Sequence, residues 1–500
     1  MDDLNLRTPN EAAWWLRSCV GGDLHADSRQ VGDGDGFIAW PGAATDGRAH
    51  VASALAQGAS VCLVEREGVE AFGFDEQLPI ASFAGLKAAT GPIAASFYGQ
   101  PSSQIPLIAV TGTNGKTSTA WWLAEALSKR PGTGPCALIG TLGIGTPPEL
   151  RYTGLTTPDP VMLQRELRSF VRQGFSACAI EASSIGIAER RLDGCEIRVA
   201  VFTNFTQDHL DYHGSMDAYW EAKAELFRWP GLAAAAVNID DLHGATLVKN
   251  LIDRGTGALD VWTVSAGGSA ARLMAQDVRY DAEGLRFDVV EQGADTQTLS
   301  TRLIGQYNVA NLLGVIGALR ALGMTLVDAV DACRDLQSVP GRMERVALPG
   351  QPLAVVDYAH TPDALDKALA GLRPLAAQRG GALWCVFGCG GDRDATKRPL
   401  MAAVAETQAD RVVITSDNPR SEKPAAIIGQ ILLGLSAPDA AQVEPDRARA
   451  IAETLAQAAP ADVVLIAGKG HEAWQEADGV RTEFSDRIHA HDALQRRSPA

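Results

Sequence analysis

Long apolar runs are missing from this 500-residue chain. None approaches the ~20 residues that a membrane-spanning helix needs, so no membrane span is expected. An excess of positive charge is missing too. With 44 Lys+Arg against 60 Asp+Glu the formal net charge is −16, which argues against a nucleic-acid partner. The eight cysteines contain no CxxC pair, and Cys385 and Cys389, the nearest two, flank an expected strand end. Scattered in this way they read as buried free thiols, with neither a disulfide framework nor a zinc site. Internal repeats and low-complexity tracts are absent as well. The opening MDDLNLRTPNEAAWW is acidic and has no signal-peptide core, so a cytoplasmic setting is expected.

Lysine is also scarce: nine of the 44 basic residues, the remainder being arginine. Where arginine supplies the surface charge, a retained lysine points to chemistry of its own. Lys116, Lys223 and Lys469 all fall in unusual stretches.

What is present centres on Ile105 to Lys129, IPLIAVTGTNGKTSTAWWLAEALSK. A β-branched run ends at Val110, a Gly-rich turn follows, and an amphipathic helix begins near Thr117. Strand, glycine turn and helix start form a phosphate cradle. Backbone N–H groups point inward, Lys116 reaches the β/γ-phosphates, and Thr117 ligates Mg²⁺. The strict P-loop pattern has Gly six residues before the lysine, where this chain has Val110.

The length suggests about three domains of roughly 150 residues each. Residues 1–103 read as a small α/β domain containing Asp27-Ser28-Arg29, the strand Gly36–Trp40, a helix around His50–Gln57 and the strand Ala59–Val64. Ala43-Ala44-Thr45 there is poor in side-chain donors. Residues 104–338 follow the linker Gln100–Ser103. A helix from Pro160 to Gln173 precedes a short strand, Ser176–Ile180, that ends at Glu181. A carboxylate at the carboxyl end of a strand beside the P-loop strand is where a second Mg²⁺ ligand belongs. The strand Arg198–Thr203 leads to a polar loop with Asp208, His209 and Asp211, and His209 is a metal-ligand candidate. Ser215 caps a helix over Met216–Phe227. Within it Lys223 reads, on sequence alone, as an exposed lysine paired with Glu221 or Glu225. Val278–Val290 reads as a hairpin around an Asp281–Gly284 turn. Asn308 and Asn311 share one helix face. Capping explains one asparagine; the second points to a ligand or to a polar contact between domains.

Residues 339–500 repeat strand, loop and helix through LAVVDYAHTP, ALWCVFGCGGDRD, RVVITSDNPR and VVLIAGKGHE. Each apolar run ends in glycines and polar residues. That pattern predicts a doubly wound parallel sheet with its ligand loops at the carboxyl ends of the strands. The residues from Arg497 to Ala500 look frayed.

Taken together these stretches resemble the Mur ligase family, ATP-dependent amide-bond formers of peptidoglycan precursor synthesis. The carriers are GTNGKT with Lys116, EASS with Glu181, TNFTQDHLD with His209, GQYNVAN with Asn308 and Asn311, PGRME with Arg342, and DYAHTP with Asp357. They occur in register over nearly the whole chain. The resemblance implies an α/β fold of three domains: one for a nucleotide sugar, a central P-loop ATPase domain, and a Rossmann-like C-terminal domain. Within the family DSR, TTP at Thr156–Pro158, YWEAKAELF, GKGHE and above all DNPR at Asp417–Arg420 are similar to the branch that adds meso-diaminopimelate.

By resemblance, ATP is held by Gly112, Thr113, Asn114 and Gly115 with Lys116, Thr117 and Ser118. Asn308, Asn311, Arg342 and Asp357 complete that site. UDP-N-acetylmuramoyl-L-Ala-D-Glu is held by Ser28, Thr156, Thr157, Ser183, Glu189 and Arg191. Relatives often have Gln at the position of Glu189 and His at that of Ile185. Diaminopimelate falls to Arg393, Asp417, Asn418, Pro419, Arg420, Gly468 and Glu472. A site that chooses diaminopimelate over lysine must hold one extra carboxylate, and the fork of Arg420 does so in a bidentate pair.

The resemblance further implies that Lys223 is carbamylated by CO₂ and, with Thr117, Glu181 and His209, organises two Mg²⁺ ions. The γ-phosphate of ATP would pass to the D-glutamyl carboxylate and the amine would displace it, with closure of the third domain. A monomer is the expected state. Folylpolyglutamate synthetase, a lysine-adding relative, a P-loop phosphotransferase or motor, and a non-catalytic binding module are the competing readings. DNPR opposes the first two. A phosphotransferase would hydrolyse ATP without an amine, and a degenerate module would have lost some of Lys116, Glu181, His209 and Lys223.

Overall fold

The structure is a computed structural model that describes residues 6–42, 45–130, 132–253, 259–281 and 284–497. Ala43 and Ala44, the middle of the Asp281–Gly284 turn, and the last three residues lie outside the described residues. The chain divides into two compact units. One comprises Met1–Ser265, Ser269–Leu273 and Gly314–Ala332; the other comprises Ala266–Gly268, Met274–Leu313 and Cys333–Ala500.

The first unit opens with α1 (Pro9–Cys19), β1 (Leu24–His25), β2 (Gly36–Ala39), α2 (Val51–Ala56), β3 (Val61–Glu65), β4 (Ile80–Phe83) and α3 (Leu86–Phe97). A capping box starts α1: the Thr8 hydroxyl accepts from the Glu11 amide, and the Glu11 carboxylate accepts from the Thr8 amide. The four strands are parallel in the order β1-β2-β3-β4. Leu16, Leu24, Ile38, Leu63, Phe83 and Ile93 fill one face.

The second sheet of this unit contains β5 (Leu107–Thr111), followed by α4 (Lys116–Ser128), β6 (Cys136–Gly140), β7 (Gly143–Thr146), β8 (Glu149–Arg151), α5 (Pro160–Arg172) and β9 (Ala177–Glu181). It continues with α6 (Ser184–Ala188), β10 (Ile197–Phe202), α7 (Leu210–His213), α8 (Met216–Ala224), β11 (Ala234–Asn238), α9 (Leu242–Asp253) and β12 (Asp260–Ser265). The strand order is β12-β11-β10-β5-β9-β6-β7-β8. The pairs from β12 to β6 are parallel, and β7 and β8 turn back antiparallel. All residues of β5, β6 and β9 are buried, which is why they read as unbroken apolar runs rather than alternating ones.

One helix is shorter than its pattern. The periodic stretch to Phe227 is α-helical only to Ala224 and then tightens into a 3₁₀ turn, Glu225–Arg228. Trp229 precedes Pro230 and is extended, with φ −63° and ψ 134°. A residue before proline disfavours the helical region. Lys223 therefore lies in the last turn of α8 rather than in mid-helix.

Next in sequence come β13 (Leu273–Tyr280), β14 (Leu285–Glu291) and β15 (Gln297–Ser300), then α10 (Asn308–Ala321) and α11 (Leu326–Arg334). The hairpin expected at Val278–Val290 corresponds to β13 and β14, and β14 pairs antiparallel with β15. The second unit then builds its sheet from β16 (Glu344–Val346), β17 (Leu353–Asp357), α12 (Pro362–Arg379), β18 (Leu383–Phe387) and α13 (Lys397–Gln408). It is completed by β19 (Arg411–Ile414), α14 (Pro424–Leu432), β20 (Gln442–Val443), α15 (Arg447–Gln457), β21 (Val463–Ala467), the hairpin β22 (Trp474–Ala477) and β23 (Val480–Glu483), and α16 (Asp486–Arg496).

The order β16-β17-β21-β18-β19-β20 is parallel except for β16, and apolar clusters cover both faces. This is the doubly wound sheet that the sequence predicts. Its four polar loops follow β17, β18, β19 and β21 at their carboxyl ends. No described helix is long and apolar enough to cross a membrane. All eight cysteines are free thiols, seven of them buried.

Candidate active site

The phosphate loop lies between β5 and α4. Gly112 has φ +144°, and a Cβ on it would stand 2.0 Å from the Thr203 hydroxyl, so both backbone angle and space demand glycine. Gly115 occupies the N-cap of α4 in the left-handed region and provides no side-chain cap. The helix therefore presents its N-terminal amides and the positive end of its dipole at the loop. Lys116 Nζ folds over the loop and donates to the carbonyls of Gly112 and Thr113, both at 3.0 Å. Asn114 N donates to Asn204 Oδ1 at 3.0 Å, which fixes the loop to the end of β10. Ser118 is buried in the first turn of α4.

Glu181, at the end of β9, is the hub beside this loop and is 1% exposed. Its Oε2 accepts from Thr117 Oγ1 at 2.9 Å, and its Oε1 accepts from the Thr141 amide at 2.8 Å. Thr141 Oγ1 pairs with Thr156 Oγ1 at 2.9 Å. Thr157 Oγ1 donates to the Glu181 carbonyl at 2.7 Å and lies 3.0 Å from Ser183 Oγ. Arg191 reaches the Thr157 carbonyl at 2.9 Å. Thr156, Thr157, Ser183 and Arg191 thus form one connected group around Glu181.

Lys223 overturns the reading of an exposed, paired lysine. It is 1% exposed. Its supposed partners are engaged elsewhere: Glu221 pairs with Arg228 and Glu225 with Arg190. Tyr219 and Lys223 are one turn apart on α8, so they share a face, and that face packs on the phosphate loop. The Tyr219 hydroxyl lies 3.1 Å from Thr113 Oγ1, and Lys223 Nζ donates to the Gly112 carbonyl at 2.7 Å. Burial, and after it the charge of Lys116, holds the Lys223 ammonium well below its ordinary value. That shift favours the neutral amine relative to an exposed lysine.

His209 lies beside this centre, its ring 6.0 Å from that of Tyr219. Its side chain is 42% exposed and stands 3.5 Å from Asp208, and its backbone has φ 50°; desolvation of the covered part of its ring lowers its pKa. Glu189 pairs with Lys87 at 2.7 Å and accepts from the Tyr212 hydroxyl. The Glu189 carboxylate is thus matched by a cation. Ser28 is buried at the start of a 3₁₀ turn whose neighbours Asp27 and Arg29 pair at 2.7 Å.

Among the described residues no group of three or more His, Cys, Asp or Glu side chains is placed to hold a metal. The Thr117 hydroxyl and the Glu181 carboxylate nevertheless form an oxygen donor pair beside the phosphate loop. Mg²⁺ is commonly held by one or two carboxylates, with substrate phosphates and water completing the shell, and this donor set fits that pattern.

In the second unit Asn311 Nδ2 donates to Asn308 Oδ1 at 3.0 Å, and Asn308 Nδ2 donates to the Ile304 carbonyl at 2.7 Å. The second asparagine therefore orients the first. Asp357, at the end of β17, accepts from the amides of Met343 and Ala359, and burial raises its pKa. The Arg342 guanidinium stacks 4.5 Å over the Tyr358 ring.

The loops after β18, β19 and β21 converge. A Cβ on Gly391 would stand 1.9 Å from the Pro419 carbonyl, so glycine is required for the first two to touch. Arg420 has φ 52° and donates to the Gly391 carbonyl at 2.6 Å. Asp417 Oδ1 accepts from the Asn418 amide at 2.6 Å, and its Oδ2 lies against Gly468. Glu472 Oε2 accepts from Asn418 Nδ2 at 2.7 Å and from Lys469 Nζ at 3.1 Å. Arg393 is exposed. Asn418, Arg420, Gly468 and Glu472 are brought together.

The motif reading gives three residues of these networks no role. Tyr219 stands in YWEAKAELF with a partner distant in sequence, and Thr141 carries no local signal. Lys469 carries one, the scarcity of lysine.

Family models match three stretches: the Mur ligase family, catalytic domain at residues 24–87; the Mur ligase middle domain at 110–319; and the Mur ligase, glutamate ligase domain at 341–470. The chain is 60% identical over 497 residues to UDP-N-acetylmuramoyl-L-alanyl-D-glutamate–2,6-diaminopimelate ligase of Acidovorax sp. (strain JS42), covering 98% of each chain. It is 46% identical to the protein of the same name from Pseudomonas aeruginosa, covering 94% of each. A solved structure of an enzyme of that name is 36% identical, with TM-score 0.67 over 95% of this chain and 94% of that one. With matches of that extent to all three of its regions, the chain belongs to the Mur ligase family.

Proposed function

We propose that this protein joins meso-diaminopimelate to the γ-carboxylate of the D-glutamyl residue in UDP-N-acetylmuramoyl-L-Ala-D-Glu, with ATP as the energy source. A carboxylate oxygen attacks the γ-phosphorus of ATP, and ADP leaves. The amine of diaminopimelate then attacks the acyl-phosphate carbon, loses a proton, and phosphate departs from the tetrahedral intermediate. ADP and phosphate are the products. The observation that carries this reading is the packing of buried Lys223 and the Thr117–Glu181 pair against one phosphate loop.

The residues do their work by position and charge. Lys116 and the amides from Gly112 to Ser118 hold the β/γ-phosphates. Asn308, with Asn311 orienting it, Arg342 and Asp357 hold the adenosine side. Ser28, Thr156, Thr157, Ser183, Glu189 and Arg191 hold the nucleotide-sugar peptide. Arg420 binds the far carboxylate of diaminopimelate, and Arg393, Asp417, Asn418, Pro419, Gly468 and Glu472 shape the remainder of that pocket.

Thr117, Glu181, His209 and a carbamate on Lys223 would hold Mg²⁺, two ions in all, which when bound neutralises phosphate charge. The carbamate forms when the neutral Lys223 amine attacks CO₂ and a proton leaves; the low pKa of Lys223 supports that step. The domain boundaries at 103/104 and 338/339, a monomer and a cytoplasmic setting belong to the same reading.

The test incubates the protein with ATP, Mg²⁺, the UDP-dipeptide and meso-diaminopimelate. The expected result is a UDP-tripeptide by mass with one ADP per amide. ADP formation without that product would contradict the reading.

A further inference from the structure

The loops after β19 and β21 are pinned together by one buried lysine. Lys469 is 0% exposed. Burying an ammonium is costly unless charged and hydrogen-bonding partners surround it, and here they do. Nζ donates to Asn418 Oδ1 at 2.9 Å and to Glu472 Oε2 at 3.1 Å. Asn418 Nδ2 closes the triangle on Glu472 Oε2 at 2.7 Å.

The triangle fixes two orientations. Asn418 Oδ1 also accepts from the Glu476 amide at 3.0 Å, so its amide cannot flip without losing two acceptor contacts. Both contacts to Glu472 fall on Oε2, and Oε1 has no partner among the described residues. The Glu472 side chain is 18% exposed. One carboxylate oxygen is thus anchored and the other is left to accept from an ammonium group.

We propose that Lys469 is the positioning residue of the amine-substrate pocket. It locks Asn418 and Glu472 to each other, aims Glu472 Oε1 at the substrate ammonium, and holds the Asn418–Arg420 stretch in register. This rests on the assignment of Asn418, Arg420 and Glu472 to diaminopimelate made above. Lys469 itself touches no substrate, so its removal acts on amine affinity rather than on phosphoryl transfer.

The test is Lys469→Met in the full-length protein, with the KM of each substrate, kcat and Tm measured. Met matches the length and loses the charge, and the Asn418–Glu472 contact survives. The expected result is a rise of about 10- to 100-fold in KM for meso-diaminopimelate, the loss of charge-assisted hydrogen bonds. The KM values for ATP and the UDP-dipeptide stay within about twofold. Unchanged amine KM, or a joint change of all three KM values with a fallen Tm, would overturn the proposal. Where Lys469→Met folds poorly, Lys469→Gln, which keeps one donor, serves for the same comparison.

A cycle with Glu472→Gln adds a readout that a purely structural role would not move. Lys469→Met should cost little more in that background, whereas full additivity contradicts the proposal. Failure of the functional reading is separately visible. A wild-type protein that uses another amine would refute diaminopimelate, while a KM shift confined to that amine would still support Lys469 as its positioning residue.

Discussion

The Nζ of Lys223 and the carbonyl oxygen of Gly112 are 2.7 Å apart, although 111 positions separate them in the chain. The last turn of α8 is thereby joined to the first glycine of the phosphate loop, and a lysine is held where burial penalises its charged form. Several expected behaviours depend on this pair and on the loops of the second unit.

An amine whose charged form is penalised by burial takes up CO₂ more readily than an exposed lysine. Lys223→Ala should lower the ligase rate by about a hundredfold or more, on the scale of losing a metal ligand or its support. Wild-type protein equilibrated with ¹³C-bicarbonate should give a carbamate carbon signal that is absent in the variant. Active protein whose Lys223 is unmodified by mass and by NMR would remove the carbamate from the mechanism.

The same burial fixes a dependence of stability on pH. In CO₂-free buffer the folded pKa of Lys223 lies well below the ordinary 10.5, because of burial first and Lys116 second. Between those two values the unfolded chain binds a proton that the folded chain does not, so stability rises with pH across that window. Lys223→Met removes the penalty. The variant should have the higher Tm at pH 7, with the gap closing as pH approaches 10.5. A gap that widens with pH would contradict this account.

Arg420 should decide between amines. Arg420→Lys keeps the charge and loses the fork, so kcat/KM for meso-diaminopimelate should fall about tenfold or more. The rate with L-lysine should change far less, because lysine lacks the far carboxylate. Competition between the two amines, read by product mass, checks the narrowing.

A stability effect should come from Arg447 and Asp486, both fully buried and paired at 2.7 Å. Arg447 also donates to the Ala467 carbonyl, just before the Gly468 loop. Removing one member leaves an uncompensated charge. Arg447→Met should therefore cost about 3–5 kcal/mol, and the double replacement with Asp486→Leu should cost clearly less. Denaturant unfolding of the three variants tests this.

The phosphate loop and the doubly wound sheet are legible in the sequence because their signals are local: an apolar run, a glycine turn, a helix start. Glu181 is legible for the same reason, as it ends a strand. Lys223 is not, because its burial arises from how the α8 face packs on a loop about a hundred residues away. Trp229-Pro230 marks where the helical stretch must end, but nothing local to Glu225–Arg228 announces that its last turn is 3₁₀. The Asn308–Asn311 contact follows from their spacing on the helix, but its use in orienting Asn308 needs the Ile304 carbonyl. Lys469 is recognisable by its rarity as lysine, while its partners are tertiary.

The most direct measurement is phosphate release with ATP, Mg²⁺ and UDP-N-acetylmuramoyl-L-Ala-D-Glu, compared across no amine, L-lysine and meso-diaminopimelate. Release should depend on meso-diaminopimelate and be matched by tripeptide formation. Release that is equal with and without an amine would contradict it.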